Sequence, residues 1–421
     1  MTGPADLVVV GASLAGLRAV QAARQSGFTG RITLIGAESH LPYDRPPLSK
    51  AFLNAPDPVV PVLRGANELA DLGVRLLLGA PATGLDTDRR RVLVGDQEIG
   101  YDALVIATGA RARSLPGASG LAGVHTLRTL DDAIAIRRAL DGGARTVVVG
   151  AGFIGSEIAS AAHRRDLGVV VVEASLTPLA PAIGERMGAA CAALHHRNGT
   201  DLRCGTRVSR IEGDSRVERV RLSDGAVLPA DLVVVGVGAA PATDWLTGSG
   251  LTVADGVVCD NTLFTGVDGV YAAGDVARWH NPMFDRPMRL EHWTGAAEQG
   301  AVAARNAVGA GPGTSYSTVP YFWSDWYDRR IQFVGVPDAD EVRIVQGDPD
   351  RDGRLVALYR AGSRLVGALT VDARTQVMKY RGLIARGASW QDGLDFAVQR
   401  RNAVTDRAAT ELVNADRGGA A

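Results

Sequence analysis

Two glycine-rich segments, Gly11-Ala12-Ser13-Leu14-Ala15-Gly16 and Gly150-Ala151-Gly152-Phe153-Ile154-Gly155, lie about 140 residues apart. Each directly follows a run of apolar, β-branched residues. Each therefore reads as a tight strand-to-helix turn, in which backbone amides at a helix N-terminus meet a pyrophosphate. A chain with two such turns binds two dinucleotides, and the pairing points to electron transfer between them. The second turn has glycine at all three positions, Gly150, Gly152 and Gly155. The first has Gly11 and Gly16 but Ser13 in the middle, where a small side chain crowds a pyrophosphate only slightly. Glu173 follows Gly155 by 18 residues. A carboxylate there accepts from a ribose 2′-hydroxyl and repels a 2′-phosphate, and Ala174-Ser175-Leu176 supplies no arginine, so NADH is expected over NADPH.

Holding these turns requires alternating strands and helices. Leu7 to Val10 and Thr146 to Val149 read as buried parallel strands, Ala15 to Gln25 as a helix, and Arg31 to Ile35 and Val169 to Glu173 as the strands that follow. Ala103 to Ala107 is a strand ending in Thr108-Gly109, after which Arg111 to Pro116 reads as a linker. Leu232 to Val235 ends in Gly236-Val237-Gly238 in the same manner, so the two halves look like diverged copies of one plan. A further strand, Val270 to Ala273, ends in Gly274-Asp275, and a helix is expected around Thr294 to Gln299. Beyond Gly309 to Gly313 come aromatic residues and short strands such as Arg354 to Tyr359 and Leu365 to Val371. The expected fold is α/β: two Rossmann-like nucleotide-binding domains plus a C-terminal α+β domain. The first domain is expected in two parts, 1–110 and 237–317, flanking the second at 111–236. The α+β domain spans 318–421, with a frayed end over Asp416 to Ala421.

The 421 residues are too many for one core, and 45 Lys+Arg against 46 Asp+Glu give a formal charge of −1. No global field draws such a chain to nucleic acid or to an anionic membrane. No apolar run reaches the ~18 residues of a membrane span, and the start reads as a first strand and helix rather than a signal sequence, so a cytoplasmic location is expected. Cys191, Cys204 and Cys259 are scattered, and none follows the first turn, which argues against disulfide-reductase and peroxidase chemistry. His163, His195 and His196 lack metal-ligand spacing, so no metal is expected.

Leu41-Pro42-Tyr43-Asp44-Arg45-Pro46-Pro47-Leu48-Ser49-Lys50 is more specific. With Tyr271 to Asp275, Glu291 to Gly300 and Tyr321 to Asp325, it resembles the FAD-containing, NADH-dependent ferredoxin reductases of the putidaredoxin reductase and ring-dioxygenase reductase type. The similarity runs along essentially the whole chain and implies a glutathione-reductase-like arrangement. It assigns the first turn to FAD, with Gly11, Ser13, Leu14, Ala15 and Gly16 at the cofactor, Ala15 through its backbone amide. It also places Arg45, Ala82, Ala107, Thr108, Gly109, Arg128, Gly274 and Trp293 near FAD and has Asp275 bond the ribityl chain. Lys50, in a loop stiffened by two prolines, would sit near flavin N5 and favour reduced flavin; Glu157 would face the nicotinamide. The second turn, with Phe153, Ile154, Glu157, Glu173, Gly238 and Trp323, is assigned to NAD. Gly36-Ala37-Glu38 departs from the family pattern, so Glu38 is either the FAD ribose contact or a solvated loop carboxylate. Trp326 stands where relatives commonly have glutamine.

The resemblance implies hydride transfer from NADH to FAD and single-electron transfer to a 2Fe-2S ferredoxin that serves a haem monooxygenase or ring-hydroxylating dioxygenase. The chain itself would be a monomer or weak dimer. Rival acceptors are rubredoxin, a quinone, monodehydroascorbate or oxygen. A rival class is a redox-sensing binding protein resembling apoptosis-inducing factor. Because the net charge is near zero, docking of an acidic ferredoxin is expected to rest on a local cluster drawn from Arg45, Arg64, Arg278, Arg289, Arg329 and Arg330.

Overall fold

A computed structural model describes residues 4–117, 120–309, 311–349 and 353–401, so the fraying expected over 416–421 lies outside the described residues. The chain forms two compact units, one of residues 4–174 and 206–320, the other of 175–205 and 321–401.

The first unit holds two parallel sheets. In the first, β1 (Asp6–Val10), β2 (Arg31–Ile35), β3 (Val74–Leu77) and β4 (Ala103–Ile106) lie in the order β4-β1-β2-β3. All neighbouring strands are parallel. Leu7 to Val10 and all of β4 are buried, as expected of central strands covered on both faces. Helix α1 (Leu14–Gln25) connects β1 to β2. In the second sheet β5 (Val124–Thr126), β6 (Thr146–Val149), β7 (Val169–Val172) and β8 (Leu232–Val235) run in the order β7-β6-β8-β5, again parallel. Helix α2 (Leu130–Asp141) precedes β6, and α3 (Phe153–His163) joins β6 to β7. The chain then returns: β9 (Val270–Ala272) adds to the free side of β4. Helix α4 (Trp293–Val308) packs on α1, where a methyl group on Gly300 would lie 2.2 Å from the Ala15 carbonyl oxygen. Only glycine permits that approach.

The segment expected as a plain linker contains structure. Ala110–Ala112 pairs antiparallel with Ala239–Pro241, so the two crossings between the sheets satisfy each other's backbone groups.

In the second unit, five antiparallel strands run in the order Tyr321–Trp326, Arg329–Gly335, Arg364–Val371, Leu355–Ala361, Glu341–Gly347. Residues 175–205, which fall within the 111–236 span, pack with these strands through buried polar contacts. The Tyr359 hydroxyl donates to the Ile183 carbonyl (2.7 Å). His195, on the helix Glu185–Arg197, is buried with Nδ1 2.8 Å from the Tyr327 hydroxyl and its ring 5.0 Å from that of Trp326. Thr200 reaches the same Tyr327 oxygen at 2.7 Å. Trp326 is therefore a core residue of this unit, its indole donating to Ser324 (2.9 Å). Among the described residues no helix is long and apolar enough to cross a membrane.

Candidate functional site

The two glycine turns repeat one geometry. Gly11 and Gly150 adopt φ of +119° and +100°, and a methyl group on them would sit 2.0 Å from the Ala107 oxygen and 2.3 Å from the Gly236 oxygen, respectively. A methyl group on the last glycines, Gly16 and Gly155, would sit 1.8 Å from the Gly11 oxygen and 2.0 Å from the Gly150 oxygen, respectively. The fold itself thus demands the first and last glycine of each turn. The middle one differs, since a methyl group on Gly152 would meet nothing closer than 3.9 Å. Ser13, at the matching place, is the N-cap of α1 but makes no side-chain capping bond; Gly152 caps α3. Leu14 and Phe153 are the first residues of these helices, and Ile154 follows Phe153 with its side chain partly exposed. Glu173 lies one residue past β7, and its carboxylate accepts from the Ala151 amide (2.7 Å), spanning the mouth of the second turn.

Around the first turn the expected residues form one connected set. Ala107 donates its amide to Val10 (2.7 Å), the Thr108 hydroxyl donates to the Ala242 carbonyl (2.9 Å), and Gly109 turns at φ +68° beside the Arg128 guanidinium. Arg128 pairs with Asp275 (3.0 Å), whose carbonyl accepts from Arg289 (3.2 Å). Gly274 lies over Ala15 and donates its amide to Gln299 (2.8 Å). Arg45 donates to the Arg128 carbonyl (2.5 Å) and pairs with Glu38 (2.6 Å). Glu38 also accepts from the Tyr43 hydroxyl (2.5 Å), which itself accepts from the Leu130 amide (3.0 Å). Burial, and then the bond to Glu38, hold the Tyr43 phenol protonated, well above its ordinary range. Both Glu38 oxygens are thus engaged by the protein.

Lys50, at the end of the proline-led turn Pro46–Ser49, reaches Glu157 on α3 at 2.8 Å. Glu157 is 3% exposed and Lys50 20%, and the Ser49 hydroxyl donates to the same carboxylate. This buried contact joins the loop of the first half to the helix of the second glycine turn. Asp44 was not singled out from the sequence, yet it accepts from the Trp293 indole Nε1 (2.7 Å). Burial raises the Asp44 carboxyl above its ordinary value, against the Trp293 bond and the charges of Lys50 and Arg18, which lower it.

Other expected residues belong to different elements. Ala82 opens the antiparallel strand Ala82–Asp86 opposite Val94, and Gly238, at φ +95°, accepts from the Arg113 amide (2.9 Å). Trp323 belongs to the second unit, where it stacks on Tyr321 at 5.7 Å with the Arg330 guanidinium over its ring.

Five of the six arginines considered for docking carry carboxylate partners. These are Arg45 with Glu38, Arg64 with Glu68, Arg289 with Asp255 and Glu291, Arg329 with Asp372, and Arg330 with Asp325. Arg289 is only 13% exposed. Arg278 donates to the Ala254 carbonyl (2.9 Å). Cys191 and Cys259 are buried, which pushes each thiol up to about 12.

Residues 5–300 match the family model described as pyridine nucleotide-disulphide oxidoreductase, and residues 321–397 match reductase C-terminal. Rhodocoxin reductase of Rhodococcus erythropolis is 37% identical over 90% of this chain and 89% of its own length. The ferredoxin–NAD(+) reductase component of the biphenyl dioxygenase system of Paraburkholderia xenovorans is 36% identical over 86% of this chain and 89% of its own. Among solved structures, the covalent putidaredoxin reductase-putidaredoxin complex contains a chain that superposes with a TM-score of 0.87 at 32% identity. That match covers 92% of this chain and 94% of the other.

Proposed function

This chain belongs to the pyridine nucleotide-disulphide oxidoreductase family, and from that premise we propose that it carries electrons from NADH through FAD to a 2Fe-2S ferredoxin. That ferredoxin would serve a haem monooxygenase or ring-hydroxylating dioxygenase. The observation that carries the reading is the buried Lys50–Glu157 contact, which ties the loop beside one glycine turn to the helix of the other. The residues present fit both cofactors. Gly152 has space above it that the fold does not use, as a pyrophosphate needs, and the helices that follow both turns begin with no side-chain capping bond, which leaves their first-turn amides for an anion. Bound FAD supplies the conversion of a two-electron hydride into two single electrons.

The rest is the work of the chain's own side chains. Arg128 and Arg289 fix Asp275 so that its carboxylate is presented to a ribityl chain. Arg45 and Tyr43 hold Glu38, and through it the loop that carries Lys50. Glu157, itself bonded by Ser49, holds the Lys50 ammonium in one place, where a positive charge stabilises negative charge developing on reduction. Glu173 selects NADH by its repulsion of a 2′-phosphate. Disulfide exchange is not part of the proposed chemistry, because the buried thiols Cys191 and Cys259 resist ionisation and none of the three cysteines, Cys204 included, lies in or directly after the first turn.

The test is anaerobic stopped-flow on the purified protein. It is expected to hold about one FAD per chain, to be bleached by NADH and to be reoxidised rapidly by a 2Fe-2S ferredoxin encoded beside it. A protein bleached by NADH but reoxidised only by quinone or oxygen would overturn the ferredoxin assignment, and a colourless folded protein would overturn the flavin assignment.

A further inference from the structure

Asp44 sits between Tyr43 and Arg45, both committed to the Glu38 network, but its own side chain turns elsewhere, to the indole of Trp293 249 residues away (2.7 Å). Its backbone is fixed independently, since its amide donates to the Pro61 carbonyl (2.8 Å) and its neighbour Tyr43 bridges to Val62. Trp293 is the first residue of α4, the helix that packs on α1 under the first glycine turn. The indole N–H is a donor only, so a fixed acceptor at 2.7 Å selects one orientation of a side chain that otherwise has several.

We propose that Asp44 is a positioning residue of the flavin site: its carboxylate orients the Trp293 indole at the start of α4 and brings a negative charge to that place. The two roles separate chemically. Asparagine keeps an acceptor of the same shape and discards the charge, whereas leucine discards both. The inference rests on the flavin assignment above, so one readout is chosen that needs no flavin.

Flavin-free protein is compared as wild type, Asp44→Asn and Asp44→Leu, each with and without Trp293→Phe, so that the difference emission spectrum isolates one indole among six tryptophans. The expected result is an unchanged Trp293 contribution in the Asn variant and a red-shifted, more quenchable one in the Leu variant. The reconstituted proteins are then titrated for flavin reduction potential. Asp44→Asn is expected to move the potential to a more positive value, because a negative charge beside the Trp293 end of α4 is lost. An Asn variant with an unchanged potential overturns the electrostatic role, and a Leu variant with wild-type indole emission overturns the orienting role. Should the Leu variant fail to fold, Asp44→Ser, too short to reach the indole, takes its place under the same two outcomes. Emission as expected in protein that cannot be reconstituted with FAD would leave the Asp44–Trp293 contact standing and sink the flavin assignment instead.

Discussion

Glu173 is the residue whose role is most directly testable, because it is the first residue past β7 and its carboxylate already spans the second glycine turn to Ala151. Glu173→Gln retains an acceptor for the Ala151 amide while removing the charge that repels a 2′-phosphate. Loss of a charged hydrogen bond to a ribose is worth about 1.5 kcal/mol or more, roughly tenfold. The expected outcome is a fall of about tenfold in kcat/KM for NADH together with a rise for NADPH; a ratio left unchanged would remove Glu173 from the specificity argument. Glu173 was legible from spacing alone. Lys50 and Glu157 were not: each taken singly is an ordinary surface residue type, and only the resemblance marked them before the structure brought them to 2.8 Å. Asp44 escaped because its partner is remote in the chain, and no local pattern encodes a contact between a loop aspartate and the first residue of a distant helix.

The glycine turns make a prediction that separates folding from binding. Gly11→Ala places a methyl group 2.0 Å from a backbone oxygen at φ +119°, and is expected to cost more than about 3 kcal/mol of stability or to abolish folding. Gly152→Ala has open space and an extended backbone, so its cost is at most about 1 kcal/mol, the N-cap preference for glycine over alanine. It should nonetheless weaken NADH binding at least tenfold. Urea denaturation beside NADH titration reads both, and equal stability losses would mean the middle glycine is structural too. Strands β1, β6 and β8 were readable because buried parallel strands are nearly unbroken apolar runs. The ribbon Ala110–Ala112 with Ala239–Pro241 was not, since three-residue strands of alanine, arginine and proline carry no periodicity. Nor was the grouping of 175–205 with the C-terminal strands, which rests on single buried contacts such as His195 to Tyr327. Burial, with the neighbouring His196 charge, lowers the His195 imidazole to about 4 from an ordinary 6.5. The unfolded chain therefore takes up the proton first, and stability present above pH ~6.5 is lost as the pH falls toward 4, by up to about 3 kcal/mol. His195→Gln should flatten that dependence in urea melts between pH 7 and 4.5; a variant as acid-labile as the parent would place the sensitivity elsewhere.

Charge over the molecule is nearly balanced, and the arginines considered for docking are mostly neutralised in place, with Arg289 bound to Asp255 and Glu291 and Arg329 to Asp372. Paired charges project little field beyond a Debye length, which falls from about 30 Å at 0.01 M salt to about 8 Å at 0.15 M. Reduction of ferredoxin at sub-saturating concentration is therefore expected to slow by less than about tenfold over that range, and flavin reduction by NADH to change less still. A steeper fall in stopped-flow rates would reveal a basic cluster that pairing does not quench. Finally, the return of the chain to the first sheet has a bearing on biosynthesis. Until β9 has emerged from the ribosome, β4 has a bare edge, and α1 has no α4 to cover the side that Gly300 approaches. The 163 residues between Ile106 and Val270 take roughly 8 to 33 s to translate at ~5–20 residues per second. During that interval a finished first glycine turn sits on an unfinished sheet, so the nascent chain should acquire its flavin late in synthesis, well after the turn itself has been made.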